Sequence, residues 1–162
     1  MKDTMVYLDN AATSYPKPEE VYSFMDEFYR KYGVNPGRSG YDLCMAAGQM
    51  VDETRRLMTQ FFNGRDPNRL VFTSNSTDAL NIAIFGMLRN GDHAITTTIE
   101  HNSVLRPLYH LWKYNGVEVD YVDFDDRGFV DPDDIKRKLK KTTKLIVVNH
   151  GSNVIGTVQP VK

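Results

Sequence analysis

Apolar positions recur along this chain with two periods, and the order in which the periods alternate sets the expected architecture. Val21, Phe24, Met25, Phe28, Tyr29 and Tyr32 fall at helical spacing after the breaks at Pro16 and Pro18, and Gly33 supplies a C-terminal stop. A second stripe, Ala46, Ala47, Met50, Val51, Thr54, Leu57, Met58, Phe61 and Phe62, runs at i, i+3 and i+4 and ends at Asn63-Gly64. Between the stripes, Gly33-Val34-Asn35-Pro36-Gly37-Arg38-Ser39-Gly40 holds three glycines and one proline, which predicts an irregular loop. The texture then changes. Leu70-Val71-Phe72-Thr73 predicts a strand, Ser74-Asn75-Ser76-Thr77 a turn, and Leu80, Ala83, Ile84, Met87 and Leu88 a helix.

Farther on, His93 to Ile99 predicts a Thr- and Ile-rich strand and Val104 to Tyr114 a helix whose start Pro107 obscures. Val117, Val119 and Tyr121 alternate with Glu118 and Asp120 as a strand does. Asp131-Pro132-Asp133-Asp134 sets an N-cap, a first-turn proline and two acids ahead of Lys136, Arg137, Lys138, Lys140 and Lys141, charges that suit a helix dipole at both ends. Leu145-Ile146-Val147-Val148 is a continuous apolar run, the pattern of a strand covered on both faces of a parallel sheet. Repeated alternation of strand and helix predicts an α/β layered domain.

Composition narrows the function classes. With 162 residues, 41% hydrophobic and 25% charged, the chain is neither a disordered tail nor a fibre. A domain of this length buries roughly 70% of its unfolded surface, so a core forms without disulfides or metal. Twenty basic against 21 acidic residues give a net charge of -1, and no basic block is present to neutralise a nucleic-acid backbone. Cys44, the single cysteine, has no internal partner, and Met1-Lys2-Asp3-Thr4-Met5 lacks a secretory apolar region, so an intracellular protein is expected. Ala79 to Leu88, interrupted by Asn81, is too short for a membrane span of about 20 residues.

Three polar clusters follow predicted strands. A helix opening at Ser74-Asn75-Ser76-Thr77-Asp78 aims free N–H groups and a positive dipole end at the turn, where Ser76 and Thr77 add hydroxyls suited to a phosphate. Ser, Thr and Asn are also the residues preferred at any helix start, and spacing alone favours plain capping. Neither the P-loop nor the dinucleotide glycine fingerprint is present. Thr96 to Asn102 puts His101 at a strand's carboxyl edge, where it can stack on a flat cofactor or move a proton, or serve simply as a helix-start residue. Asn149-His150-Gly151-Ser152-Asn153-Val154-Ile155-Gly156 follows the last strand, so three strand ends can converge. His93, His101, His110 and His150 have no zinc-ligand spacing, so no metal site is expected. Cys44 reads as a small buried hydrophobe, and Arg38 as a solvated or paired arginine rather than an anion grip.

Taken in order, Tyr7-Leu8-Asp9-Asn10-Ala11-Ala12-Thr13, Phe72 to Asn81, Glu100-His101-Asn102-Ser103-Val104 and Asn149 to Thr157 resemble the cysteine desulfurases, pyridoxal-phosphate-dependent enzymes of the class V aminotransferase fold. The resemblance implies a pyridoxal 5'-phosphate-dependent transferase type I fold, mostly parallel sheet with helices on both faces, here incomplete. Residues 1–17 are then an arm lining the substrate side, and 18–162 the first part of the large cofactor-binding domain. It implies that Ser76 and Thr77 hold the cofactor phosphate, that His101 stacks on the ring and assists proton transfer, and that Asn153 lies near the ring oxygen. Asn10, Ala11 and Ala12 line the substrate side, and Gln159 is structural. Asn75 and Ser76 replace the commoner Gly-Ala of the phosphate turn, where asparagine tolerates a positive φ better than most residues.

The resemblance further implies L-cysteine as substrate, L-alanine and enzyme-bound sulfur as products, a sulfur-acceptor protein, a cytoplasmic homodimer, and no nucleic-acid or membrane partner. Family members are longer. The Schiff-base lysine, the persulfide cysteine, the aspartate at the pyridine nitrogen and the substrate-carboxylate arginine have no counterpart among these residues, so the chain by itself is expected to be catalytically incomplete. Two alternatives stay open: another class V aminotransferase or a selenocysteine lyase, and a non-catalytic module binding a different phosphorylated ligand.

Overall fold

The chain order is α1 (Glu19–Tyr32), α2 (Asp42–Phe61), a 3-10 turn (Pro67–Arg69), α3 (Ser76–Met87), β1 (His93–Thr97), α4 (Asn102–Asn115), β2 (Glu118–Val122), α5 (Pro132–Arg137) and β3 (Thr143–Val147). This computed structural model describes residues 5–38 and 40–161. Met1 to Thr4, Ser39 and Lys162 lie outside the described residues, and with them the opening segment, one position of the glycine-rich loop and the last lysine. Two compact units meet at Val71 and Phe72. Among the described residues no helix is long and apolar enough to cross a membrane.

The first unit holds the two amphipathic helices at the expected positions. In α1 no residue is buried. In α2 Cys44, Ala47 and Thr59 are buried, and the Cys44 thiol donates to the Asn35 carbonyl at 3.3 Å, so this cysteine packs as a small apolar group against the glycine-rich loop. The end of α2 is reversed by Asn63, at φ 55°, rather than by the glycine after it. Gly64 is needed for a different reason. Its N–H reaches the Thr59 carbonyl at 2.7 Å, and a Cβ there would stand 2.8 Å from Thr59 Cγ2. Residues 70–73 correct the expected strand: they join no sheet among the described residues, and Val71 is 75% exposed. Asp66 caps the 3-10 turn by accepting from Asn68 N–H. The apolar run that follows it has no neighbouring strand against which to form a ladder.

The second unit is a parallel three-stranded sheet in the order β2-β1-β3, with helices against it, as the α/β reading expects. Ala94 of β1, Val119 of β2 and Leu145 and Val147 of β3 share one face, which packs on Ile84, Leu88, Val104, Leu108 and Leu111 of the α3–α4 layer. Ile95 and Val122 face the other way, onto Val130, Ile99 and Ile135 of α5. Each fully buried aliphatic side chain of this kind stabilises the fold by roughly 1.5–3 kcal/mol.

Burial among the strands departs from the expectation. All five residues of β1 are buried, whereas β3 is an edge strand with alternating exposure, so the aliphatic run at Leu145–Val148 is not covered on both faces. The strand at the centre contains a histidine and two threonines, and hydrogen bonds make that possible. His93 Nδ1 lies 2.8 Å from Thr143 Oγ1 and its Nε2 3.1 Å from Asp120 Oδ2, and the Thr96 hydroxyl donates to the Val147 carbonyl. Pro107 does not mark the start of α4. The helix runs through it, the proline ring is buried, and the Ser103 carbonyl loses the helical N–H that any other residue would supply. Gly116, at φ 66°, closes α4, with its N–H returned to the Leu111 carbonyl. Asp131 caps α5 by accepting from Asp133 N–H, as its sequence predicts.

Candidate functional site

The parallel sheet makes the carboxyl ends of its strands the natural place for a ligand, because the following helices there begin with unpaired N–H groups. Asn75 is the N-cap of α3. Its Oδ1 accepts from Asp78 N–H at 2.9 Å, and its carbonyl accepts from Ala79 N–H. The amides of Ser76 and Thr77 therefore have no hydrogen-bond partner among the described residues, and both residues are exposed. Capping and anion binding are thus divided between neighbouring positions: Asn75 caps, while Ser76 and Thr77 keep their donors available. Asn75 lies at φ -168°, an extended conformation open to any residue, so the left-handed geometry considered for this turn does not arise.

His101 is the residue that caps α4. Its Nδ1 accepts from Ser103 N–H at 3.1 Å and lies 2.8 Å from Ser103 Oγ. A ring nitrogen that accepts from an amide carries its lone pair, so this geometry selects the tautomer with the proton on Nε2. The ring is exposed. Thr77, Asn81 and Phe85 of α3, His101 at the cap of α4, and Arg106 and His110 of α4 line one hollow of about 410 Å³. Thr77, Asn81 and Phe85, and likewise Arg106 and His110, are spaced four apart, a helical repeat present in the sequence but unused for Asn81, Phe85, Arg106 and His110.

Other expected site residues are distributed more widely. Ser76 stands at the first helical position of α3, outside the lining of this hollow. Asn153 lies on an exposed turn after β3, also outside that lining. The turn itself is built: Ser152 Oγ accepts from the Val154 and Ile155 amides, and Gly151 pairs with Val158. Gln159, 3% exposed, accepts from Val130 N–H and donates to the Gly128 carbonyl, a clamp on the neighbouring loop. Asn10, Ala11 and Ala12 belong to the first unit, in a turn where the Ala12 amide donates to the Asp9 carbonyl and Asn10 Oδ1 accepts from Tyr15 N–H. Arg38, also in the first unit, is exposed. The carboxylate of Glu100, absent from the sequence reading except as part of a motif, is buried beside His101.

A larger hollow of about 760 Å³ lies within the first unit, lined by Thr59, Phe62, Arg65 and Arg69 among others. Among its lining residues there is no α-helix N-terminus and none of the candidate site residues, so the α3–α4 hollow is the better candidate. The donor set there fits pyridoxal phosphate. Thr77 brings an unpaired amide, a hydroxyl and the N-terminus of α3 to suit the phosphate, with the Ser76 amide and hydroxyl adjoining the hollow in sequence but outside its lining, and the His101 imidazole offers a flat face to the ring. Among the described residues no lysine lines the hollow, and no cluster of His, Cys, Asp or Glu is placed to hold a metal ion.

Known proteins place this geometry in context. A probable cysteine desulfurase of Methanothermobacter thermautotrophicus is 39% identical over 97% of this chain, and cysteine desulfurase IscS of Dictyoglomus turgidum is 38% identical over 97%. The chain spans only 39% and 40% of those relatives' own lengths, matching their N-terminal portion. The apo structure of a cysteine desulfurase from Thermococcus onnurineus NA1 superimposes with a TM-score of 0.87 at 34% identity, covering 96% of this chain and 39% of that one. A NifS-like protein superimposes with a TM-score of 0.81 at 29% identity, covering 96% of this chain and 43% of the other. The fold implied by the resemblance, including its partial extent, is therefore borne out. Since the sequence signature of the aminotransferase class-V family extends over residues 6–162, this chain belongs to that family.

Proposed function

We propose that this chain forms the phosphate-gripping and ring-covering part of a pyridoxal 5'-phosphate site in a cysteine desulfurase that converts L-cysteine to L-alanine and passes the sulfur to an acceptor protein. The observation that carries the reading is that Thr77, at the open end of α3, and His101, at the open end of α4, line the same hollow. The similarity to cysteine desulfurases over nearly the whole chain supports the choice of chemistry within the family. When bound, the cofactor supplies an electron sink for the substrate's carbanion.

The chain's own residues have separable tasks. Ser76 and Thr77 hold the phosphate through amides and hydroxyls, with the α3 dipole behind them. His101 covers the ring and keeps a proton at Nε2, because its Nδ1 is occupied by Ser103 N–H. Asn153 approaches the ring oxygen. Asn10, Ala11 and Ala12, in an arm of residues 1–17, line the substrate side, and residues 18–162 belong to the large domain. A cytoplasmic homodimer completes this reading. With no lysine in the lining of the hollow among the described residues, this chain holds the cofactor without a covalent bond and does not turn over cysteine by itself.

Fluorescence and absorbance titration of the purified chain with pyridoxal phosphate tests the reading. Saturable binding that is lost when pyridoxal, without the phosphate, replaces the cofactor is the expected result. Equal binding of pyridoxal, or tighter binding of an unrelated phosphorylated ligand, overturns it.

A further inference from the structure

Between the end of β1 and the cap of α4 lie three residues, Thr98, Ile99 and Glu100. Glu100 is 9% exposed, and one of its carboxylate oxygens, Oε1, has two partners: the Thr97 hydroxyl donates to it at 2.8 Å and the Asn149 amide at 2.6 Å. Thr97 is the last residue of β1, and Asn149 lies just past the end of β3. A single buried oxygen thus closes the β1–α4 connection upon itself and ties it to the segment that leads into the Ser152–Asn153 turn. Removing the carboxylate from this position leaves the buried Thr97 hydroxyl and the half-buried Asn149 N–H without their acceptor together.

We propose that Glu100 is a positioning residue of the site, setting the His101 imidazole and the Asn149–Asn153 segment relative to each other through this bridge. The proposal rests on the pyridoxal-phosphate reading only for its functional consequence. The geometric consequence can be read on the chain without cofactor. His101 follows Glu100 directly, so loosening the Thr97–Glu100 closure displaces the cap residue of α4 and the hydrogen bond that fixes its tautomer.

The experiment compares the chain with Glu100→Ala, Glu100→Gln and Thr97→Val, using nitrogen-15 NMR of the His101 imidazole, amide exchange at Asn149 and titration with pyridoxal phosphate. In the unaltered chain the neutral His101 imidazole is expected as a single tautomer, protonated at Nε2. In Glu100→Ala, Asn149 exchanges faster, the His101 signals move toward a mixture of forms, and affinity for pyridoxal phosphate falls about tenfold, the loss expected from one hydrogen bond to a charged group. Glu100→Gln keeps a carbonyl acceptor and retains the His101 signature and the affinity. Faster exchange at Asn149 in folded Glu100→Ala, with His101 signals and affinity unchanged, overturns the proposal. Should Glu100→Ala not fold, Thr97→Val, which removes one donor and keeps the side-chain shape, decides in the same way with a smaller change. Failure of the unaltered chain to bind pyridoxal phosphate, with His101 still responding to Glu100→Ala, overturns the functional reading and leaves the positioning intact.

Discussion

Two carboxylates in the second unit experience opposite environments, and stability must follow pH in opposite directions for them. The Lys140 ammonium bonds to Asp120 and adds its charge, which against partial burial holds the carboxyl below the ordinary aspartate range. Its stabilising contribution is complete above the ordinary value of 3.8 and is lost as pH falls through the lowered one. Burial raises Glu100, against the opposing hydrogen bonds from Thr97 and Asn149. The folded chain then binds a proton that the unfolded chain has released, so the share of stability due to Glu100 declines as pH climbs from 4.5 through its raised value. Urea unfolding at a series of pH values checks both. Asp120→Asn should flatten the acid side of the profile, by under about 1 kcal/mol because Asp120 is partly solvated, and Glu100→Gln should remove the decline above 4.5. At the site, Thr77→Val deletes a hydroxyl while leaving the amide in place. We expect affinity for pyridoxal phosphate to drop roughly tenfold; an unchanged affinity would mean that the hydroxyl does not meet the phosphate.

Among the elements, those with local determinants were legible from the sequence and those determined by neighbours were not. The stripes of α1 and α2, the Asp131 cap of α5 and the helix opening at Ser76 all sit where spacing and capping residues put them. The free amides and hydroxyls of Ser76 and Thr77 were legible for the same reason, since a helix start is a local feature. Burial in the sheet was not. Strand order puts His93–Thr97 in the centre and Thr143–Val147 at an edge, and no window of sequence contains that order. The bridge from Glu100 to Asn149 across 49 positions of sequence escaped for the same reason, whereas the meeting of Thr77 and His101 at one hollow was implied by the resemblance. Gly116 is a case where the local signal and the tertiary one agree. Its φ of 66° strains any L side chain, and a Cβ there would meet Asn90 Oδ1 at 2.8 Å. Gly116→Ala should lower unfolding free energy by roughly 1–2 kcal/mol, mainly through backbone strain, and an unchanged urea midpoint would contradict the left-handed closure of α4.

At the scale of the whole molecule, cohesion is divided unevenly between the two units. Both clusters of buried apolar residues, around Leu108 and around Ile95, belong to the second unit. In the first unit α1 buries nothing, and Phe24 of α1 and Phe61 of α2 are 61% and 76% exposed. Local opening has a low cost where few apolar contacts must break, so the unit with the buried clusters should control global unfolding. Amide exchange is therefore expected to be slowest in β1 and α4 and fastest in α1. The exposed rings have a second consequence, because large apolar patches bind hydrophobic dyes and favour self-association. Replacing Phe24 and Phe61 by serine should reduce dye binding and concentration-dependent association while changing unfolding free energy by only about 0.5 kcal/mol per site, as surface substitutions do. A double variant that loses several kcal/mol instead would mean that these rings stabilise the folded monomer, and the uneven division of cohesion would have to be abandoned.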